Sequence, residues 1–180
     1  MVKKALIFVL YFVSYSFANS DNNGWNMLHY AVYNGSLEEI TNELKKYDIQ
    51  SPTVAGLSPL HIAVKKRDKK AISLLLENNA DIEAKDNKGF SPLYYAVVMN
   101  DFDTVEFLLE KGADVNTQNN IGNTPMHQVA RKDRAEMFGI LIKYGAKHDI
   151  KNIYGLMPID FAIDSKNNAL IKLLSELNLK

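Results

Sequence analysis

The chain has 180 residues, 47% of them apolar and 23% charged, which is enough apolar material for one folded domain and excludes disorder throughout. Its 21 basic side chains are matched by 21 acidic ones, so the positive excess that drives binding to a phosphate backbone is missing and nucleic acid is not an expected partner. There is no cysteine, which excludes disulfides, thiolate catalysis, Cys-ligated zinc, iron-sulfur clusters and cysteine-linked lipid anchors.

The first element in chain order is an address. Lys3 and Lys4 precede an unbroken apolar run from Ala5 to Val13, and Ser16-Phe17-Ala18 then puts small residues at the two positions a signal peptidase reads. A bilayer-spanning helix takes roughly 20 apolar residues, about twice the length of this run. Residues 1–18 are therefore expected to be a signal peptide cleaved after Ala18. An uncleaved anchor and an amphipathic first helix of the domain are the alternatives. Cleavage predicts a periplasmic or secreted protein with no stable membrane anchor, and it leaves 19 basic side chains against 21 acidic ones.

After the address the chain repeats itself. Gly24, Gly56, Gly89, Gly122 and Gly155 are spaced by 32, 33, 33 and 33 residues. Four positions after each glycine stands an apolar residue: Leu28, Leu60, Leu93, Met126 and Ile159. Ala31, Ala63, Ala96, Val129 and Ala162 follow, each with an apolar neighbour at Val32, Val64, Val97, Ala130 and Ile163. This is the inner stripe of one helix, written five times.

Ser58-Pro59, Ser91-Pro92 and Thr124-Pro125 place a hydroxyl N-cap before a proline at the first helical position, so a helix begins at each. Chain-turning residues end it within a few positions, at Asn34-Gly35, Lys66-Arg67-Asp68, Asn100-Asp101 and Lys132-Asp133. A second helix follows, with stripes Ile72-Leu75-Leu76, Val105-Leu108-Leu109 and Phe138-Leu141-Ile142. Asn79, Gly112 and Gly145 mark its exit, where a left-handed residue is wanted.

These residues resemble the ankyrin repeat, whose period is about 33 residues and whose signature is T-P-L-H-x-A. The match is carried by S-P-L-H-I-A at 58–63, S-P-L-Y-Y-A at 91–96, T-P-M-H-Q-V at 124–129 and G-A-D-V-N at 112–116. The resemblance implies an all-α fold, an ankyrin-repeat α-solenoid over residues 19–180, with units at about 21–52, 53–85, 86–118, 119–151 and 152–180. The first unit lacks the proline and is one residue short near Tyr47 to Ile49, and the last reads M-P-I-D-F-A, as terminal caps do.

The resemblance further implies a curved stack that binds a protein partner through its turns and concave face. Carried onto this chain, the turn positions select Trp25, Leu57, Phe90, Asn123 and Tyr154, and the ends of the first helices select Met99, Arg131 and Lys132. Phe90, Met99 and Arg131 belong to the middle units, where interface anchors concentrate. Apolar and aromatic side chains stand at turn positions where water would favour polar ones, Ile121 and Leu156 included. The competing reading stays open: some of these side chains fold back onto the neighbouring turn and serve cohesion. A monomer is expected.

Three patterns suggest chemistry and fall short of it. His29, His61 and His127 share one repeat position, yet stacked helices lie about 8–10 Å apart and zinc takes nitrogens at about 2 Å. In ankyrin-like units this histidine makes hydrogen bonds in the turn region. Ser58 with His61 and Thr124 with His127 have the types of a nucleophile and a base but no third orienting group. Asp114, Asn116, Gln118 and Asn120 lack the glutamate and glycine of a calcium loop. No enzyme activity, metal or cofactor is expected. The alternatives to a partner-binding module are a structural component of an envelope complex and, further off, an enzyme or metal protein built on the stack. With 18 lysines to 3 arginines and 18 asparagines, codon bias points to an AT-rich genome, and a bacterial source is expected.

Overall fold

A computed structural model describes residues 23–131 and 134–178. Residues 1–18, expected to be a signal peptide cleaved after Ala18, and Lys132 among the partner-binding candidates lie outside the described residues. Within them every regular element is a helix. The chain divides into two compact units, Met1–Ala80 and Asp81–Lys180.

In the first unit, α1 (Met27–Asn34) and α2 (Leu37–Glu43) form one helical hairpin, and α3 (Pro59–Lys65) and α4 (Lys69–Glu77) the next. α1 packs on α3 and α2 on α4, so first helices meet first helices and second meet second. The second unit holds α5 (Pro92–Val98) with α6 (Phe102–Glu110), α7 (Pro125–Ala130) with α8 (Ala135–Lys143), and α9 (Pro158–Asp164) with α10 (Asn168–Asn178). There α7 lies between α5 and α9, and α6 packs on α8.

The caps explain where the helices start. Ser58, Ser91 and Thr124 stand in extended backbone before prolines whose missing N–H leaves no helical bond unmade. Ser91 Oγ accepts from Tyr94 N at 3.2 Å. In α9 the hydroxyl is replaced by Met157, and Asp160 compensates by accepting the Met157 N–H on Oδ2 at 2.7 Å. Two of the second helices, α4 and α6, are capped by aspartate: Asp68 Oδ1 accepts from Lys70 N and Ala71 N at 3.1 and 3.0 Å, and Asp101 Oδ1 from Thr104 N at 3.3 Å; α2 is capped by Ser36, whose Oγ accepts from Glu39 N at 3.3 Å. The exits follow expectation, with Asn79, Gly112 and Gly145 at φ 68°, 92° and 83°. The first repeat, one residue short, has an α2 of seven residues where α4, α6 and α8 have nine, and it keeps one residue more between that helix and the next turn glycine.

Burial follows the inner stripe. Leu28, Val32, Leu60 and Val64 in the first unit, and Leu93, Val97, Met126 and Ala130 in the second, are at most 1% exposed. Each large side chain of this kind contributes about 1.5–3 kcal/mol by leaving water. One stripe position departs from expectation. Ile163 is 56% exposed, although its counterparts in the other four repeats are buried, because no further helix of the described residues covers α9 on that side.

Successive turns are tied by backbone. Val54 N donates to Asn23 O at 2.8 Å in the first unit, and Asn120 N to Lys88 O and Ile153 N to Ile121 O, both at 3.1 Å, in the second. This approach is what requires glycine at Gly89: φ is +76°, and a Cβ there would stand 2.5 Å from Asn120 N. A second set of ties joins residues 29 to 31 positions apart, from the loop after one second helix to the loop after the next. Glu83 Oε1 accepts from Asp114 N at 2.7 Å, and Asn116 Nδ2 donates to Gly145 O at 3.3 Å while its Oδ1 accepts from Lys147 N at 2.7 Å.

Candidate functional site

In the second unit, side chains from α5, α7, α9 and the turn before α5 form a connected aromatic series. Phe90 stacks on Tyr94, with ring centroids 4.4 Å apart and planes 5° from parallel, and meets Tyr95 edge-on at 5.9 Å. Tyr94 Oη donates to Gln128 Oε1 at 3.4 Å, which carries the series from α5 to α7. Arg131, exposed at the end of α7, lies over the Phe161 ring of α9 at 5.6 Å, within cation–π range. Phe161 in turn meets His127 edge-on at 5.2 Å.

The electrostatics of this series keep both tyrosines neutral. Burial pushes the Tyr94 phenol up to about 12, against the opposing influence of Arg131. Tyr95 is raised further, by burial and by the Asp86 carboxylate, to which Tyr95 Oη donates at 2.7 Å. Each therefore remains a hydrogen-bond donor, Tyr94 being 4% exposed and Tyr95 half-buried.

His29 and His127, at the shared repeat position, are tied into helix starts and turns. His29 Nδ1 accepts from Asn26 N at 3.1 Å and Nε2 donates to Ser51 O at 2.9 Å. His127 repeats this, with Nδ1 accepting from Thr124 N and Nε2 donating to Leu156 O, both at 3.1 Å. Each imidazole thus closes its own helix start and reaches the chain that begins or precedes the next repeat. Burial lowers the pKa of both. Among the described residues no three His, Asp or Glu side chains are placed to share a metal ion, and no helix is long and apolar enough to cross a membrane.

The candidates named from the sequence fall in different surroundings. Trp25 is half-buried in the first unit, its ring 5.1 Å from Tyr30 and 5.7 Å from Tyr33. Leu57 is half-buried, its N–H held by Thr53 Oγ1 at 3.0 Å. Phe90 and Met99 are half-buried in the second unit, and Arg131 is exposed. Tyr154 is 69% exposed. Asn123 differs in kind: it is 8% exposed, and its Oδ1 accepts from Asn152 Nδ2 at 2.8 Å, which ties two turns together. The structure thus joins Phe90 and Arg131 to one series and gives Asn123 a cohesive placement.

Tyr95, Gln128 and Phe161 complete the series and were not singled out from the sequence. They share one repeat position, with Tyr30 and Ile62, and its varied chemistry is the signal of a site that packing does not dictate.

A family model described as ankyrin repeats (3 copies) matches residues 33–119, and one described as ankyrin repeats (many copies) matches residues 108–162. The chain belongs to the ankyrin repeat family. Its helices are those of an ankyrin-repeat α-solenoid, and ankyrin repeats are generally protein–protein interaction modules. An ankyrin repeat protein of Rickettsia felis is 33% identical over 69 residues, 37% of this chain and 23% of the relative. The matched part of this ankyrin chain therefore spans less than a quarter of that relative's length.

Proposed function

We propose that this ankyrin repeat protein is exported and binds a protein partner through its turns and the face of its first helices. The observation that carries the reading is the set of side chains left outside the core on a well-tied backbone. Tyr154 is 69%, Ile121 38% and Val98 37% exposed, and Arg131 is exposed in the same unit. Tyrosine and arginine are the residue types that most often anchor protein interfaces. Held turns and capped helices present them at small conformational cost on binding. The export half of the proposal is supported by the order of lysines, apolar run and small residues in 1–18.

Two measurements test the two halves separately. Mass spectrometry of the chain recovered from fractionated source cells is expected to find an N-terminus at Asn19 outside the cytosol; Met1 in the cytosolic fraction contradicts export. Retention of a partner from that compartment is expected to fall roughly tenfold or more when Met99, Arg131 and Tyr154 are all changed to alanine. Unchanged retention with unchanged melting removes this surface as the site.

A further inference from the structure

The first unit has a groove between its two second helices. Leu37 on α2 and Leu74 on α4 line it, with Lys69 and Lys70 at the start of α4 and Glu77 at its end. Leu37 is 39% exposed, and both lysines and Glu77 are exposed. Lys70, Leu74 and Glu77 share one face of α4 by their spacing of four and three residues, and the helix rise puts the lysines and Glu77 about 10–12 Å apart. The groove therefore runs from positive through apolar to negative. Its positive end is built against local preference, because a carboxylate suits the first turn of a helix and a cation opposes the dipole there. α2 has Glu38 and Glu39 in its first turn, α6 Asp103 and α8 Glu136, whereas α4 has Lys69 and Lys70. Glu38 and Glu39 do not line the groove. Asp68 caps α4, yet it is one carboxylate among the cations Lys65, Lys66, Arg67, Lys69 and Lys70, in a chain whose net charge is zero. Helix stability does not account for two lysines at this place, and a ligand of opposite charge does.

We infer that this groove docks an acidic amphipathic helix of another protein. Carboxylates in the first turn of that helix meet Lys69 and Lys70, an apolar side chain one turn on covers Leu37 and Leu74, and a cation near its end meets Glu77. Each of those charges also suits the occupant's own dipole, so it lies in the same direction as α4. Lys65, Lys66 and Arg67 in the preceding turn add to the field that draws an acidic segment in. A nucleic acid or an anionic lipid surface satisfies the lysines but sets Glu77 against like charge and answers the order of the groove less well. The site lies on second helices of the first unit and does not depend on the partner surface proposed above.

Selection from phage-displayed random peptides of about twelve residues, long enough for three helical turns, tests it on the full chain, with counter-selection on the Lys69→Glu, Lys70→Glu double variant. The peptides retained are expected to carry paired carboxylates one turn before a leucine, isoleucine, phenylalanine or methionine. For a fluorescein-labelled synthetic copy of one such peptide, anisotropy is expected to show Kd raised roughly tenfold or more by Lys70→Glu and by Leu37→Ser. Both variants are checked for unchanged circular dichroism, and Arg131→Ala is expected to leave Kd unmoved. No peptide surviving counter-selection overturns the inference, as do survivors without acidic residues. A Kd moved by Lys70→Glu but not by folded Leu37→Ser marks a basic patch alone and also overturns it. So does binding to phosphatidylglycerol vesicles or to single-stranded DNA that is tighter than binding to any selected peptide.

Discussion

Gly89 and Gly155 have nearly the same backbone, at φ +76° and +75°, but different surroundings. A Cβ on Gly89 meets the next turn, and one on Gly155 meets nothing within 4 Å. Gly155→Ala is therefore expected to cost only the left-handed backbone strain of about 1–2 kcal/mol. Gly89→Ala is expected to add an overpacking cost of about 1–3 kcal/mol. Urea denaturation of the two variants reads the difference directly, and equal losses would mean that the close turn approach contributes nothing. The imidazoles at His29 and His127 set a second expectation at this scale. Burial holds both below their ordinary 6.5, despite the Ser51 and Leu156 carbonyls that favour the charged ring. As pH falls past about 6.5 the unfolded chain takes up these protons first. The contribution is thus complete above that value and is lost as pH falls toward the depressed native values. Between about pH 8 and about pH 5, the melting temperature of the unaltered chain is expected to fall more steeply than that of the His29→Asn, His127→Asn double variant. Parallel profiles would contradict it.

At the scale of an element, the helix starts were the most legible part of the sequence. Ser58-Pro59, Ser91-Pro92 and Thr124-Pro125 act within four residues of chain, and α3, α5 and α7 begin where those pairs place them. Side chains that reach into another repeat were not legible, because nothing periodic in the chain records their direction. Arg134 stood in no motif, yet its guanidinium donates to the Val97 and Val98 carbonyls at the end of α5, the latter at 2.9 Å. It satisfies the Val98 carbonyl at the helix end and joins the Asn100 N–H that Val97 O already accepts at 3.1 Å. Lys85 likewise donates to Thr117 Oγ1 at 2.7 Å and Gln118 O at 2.6 Å, a period away. Arg134→Ala is expected to destabilise the second unit by about 1–3 kcal/mol. Faster amide exchange at Met99 and Asn100, which follow α5, is the accompanying readout, and an unchanged stability would mean water replaces the guanidinium without loss. The same limit applied to the candidate site. The exposed Tyr154 and Arg131 were readable as surface residues, whereas Phe90 and Asn123 look alike in a turn sequence and only packing separates a stacked ring from a buried amide tie.

At the scale of the molecule, function rests on a division of labour within each repeat. The glycine turns, caps and inner stripe are spent on holding neighbouring repeats together, and this leaves the position of Tyr95, Gln128 and Phe161, with the turn tips, free to vary in chemistry without loss of fold. In the proposed function such a surface recognises by its side chains, and among the described residues no three His, Asp or Glu side chains are placed to share a metal ion. Phe90 is a poor variant for testing it, because removing a ring stacked on Tyr94 disturbs packing and contact together. Arg131 separates the two. The most direct measurement places a photo-crosslinking residue at position 131 and, in a second chain, at Glu110, an exposed position on a second helix. The expected result is a single defined protein adduct from position 131 and little or none from position 110. Adducts equal at both positions, or confined to position 110, would contradict recognition through the face of the first helices.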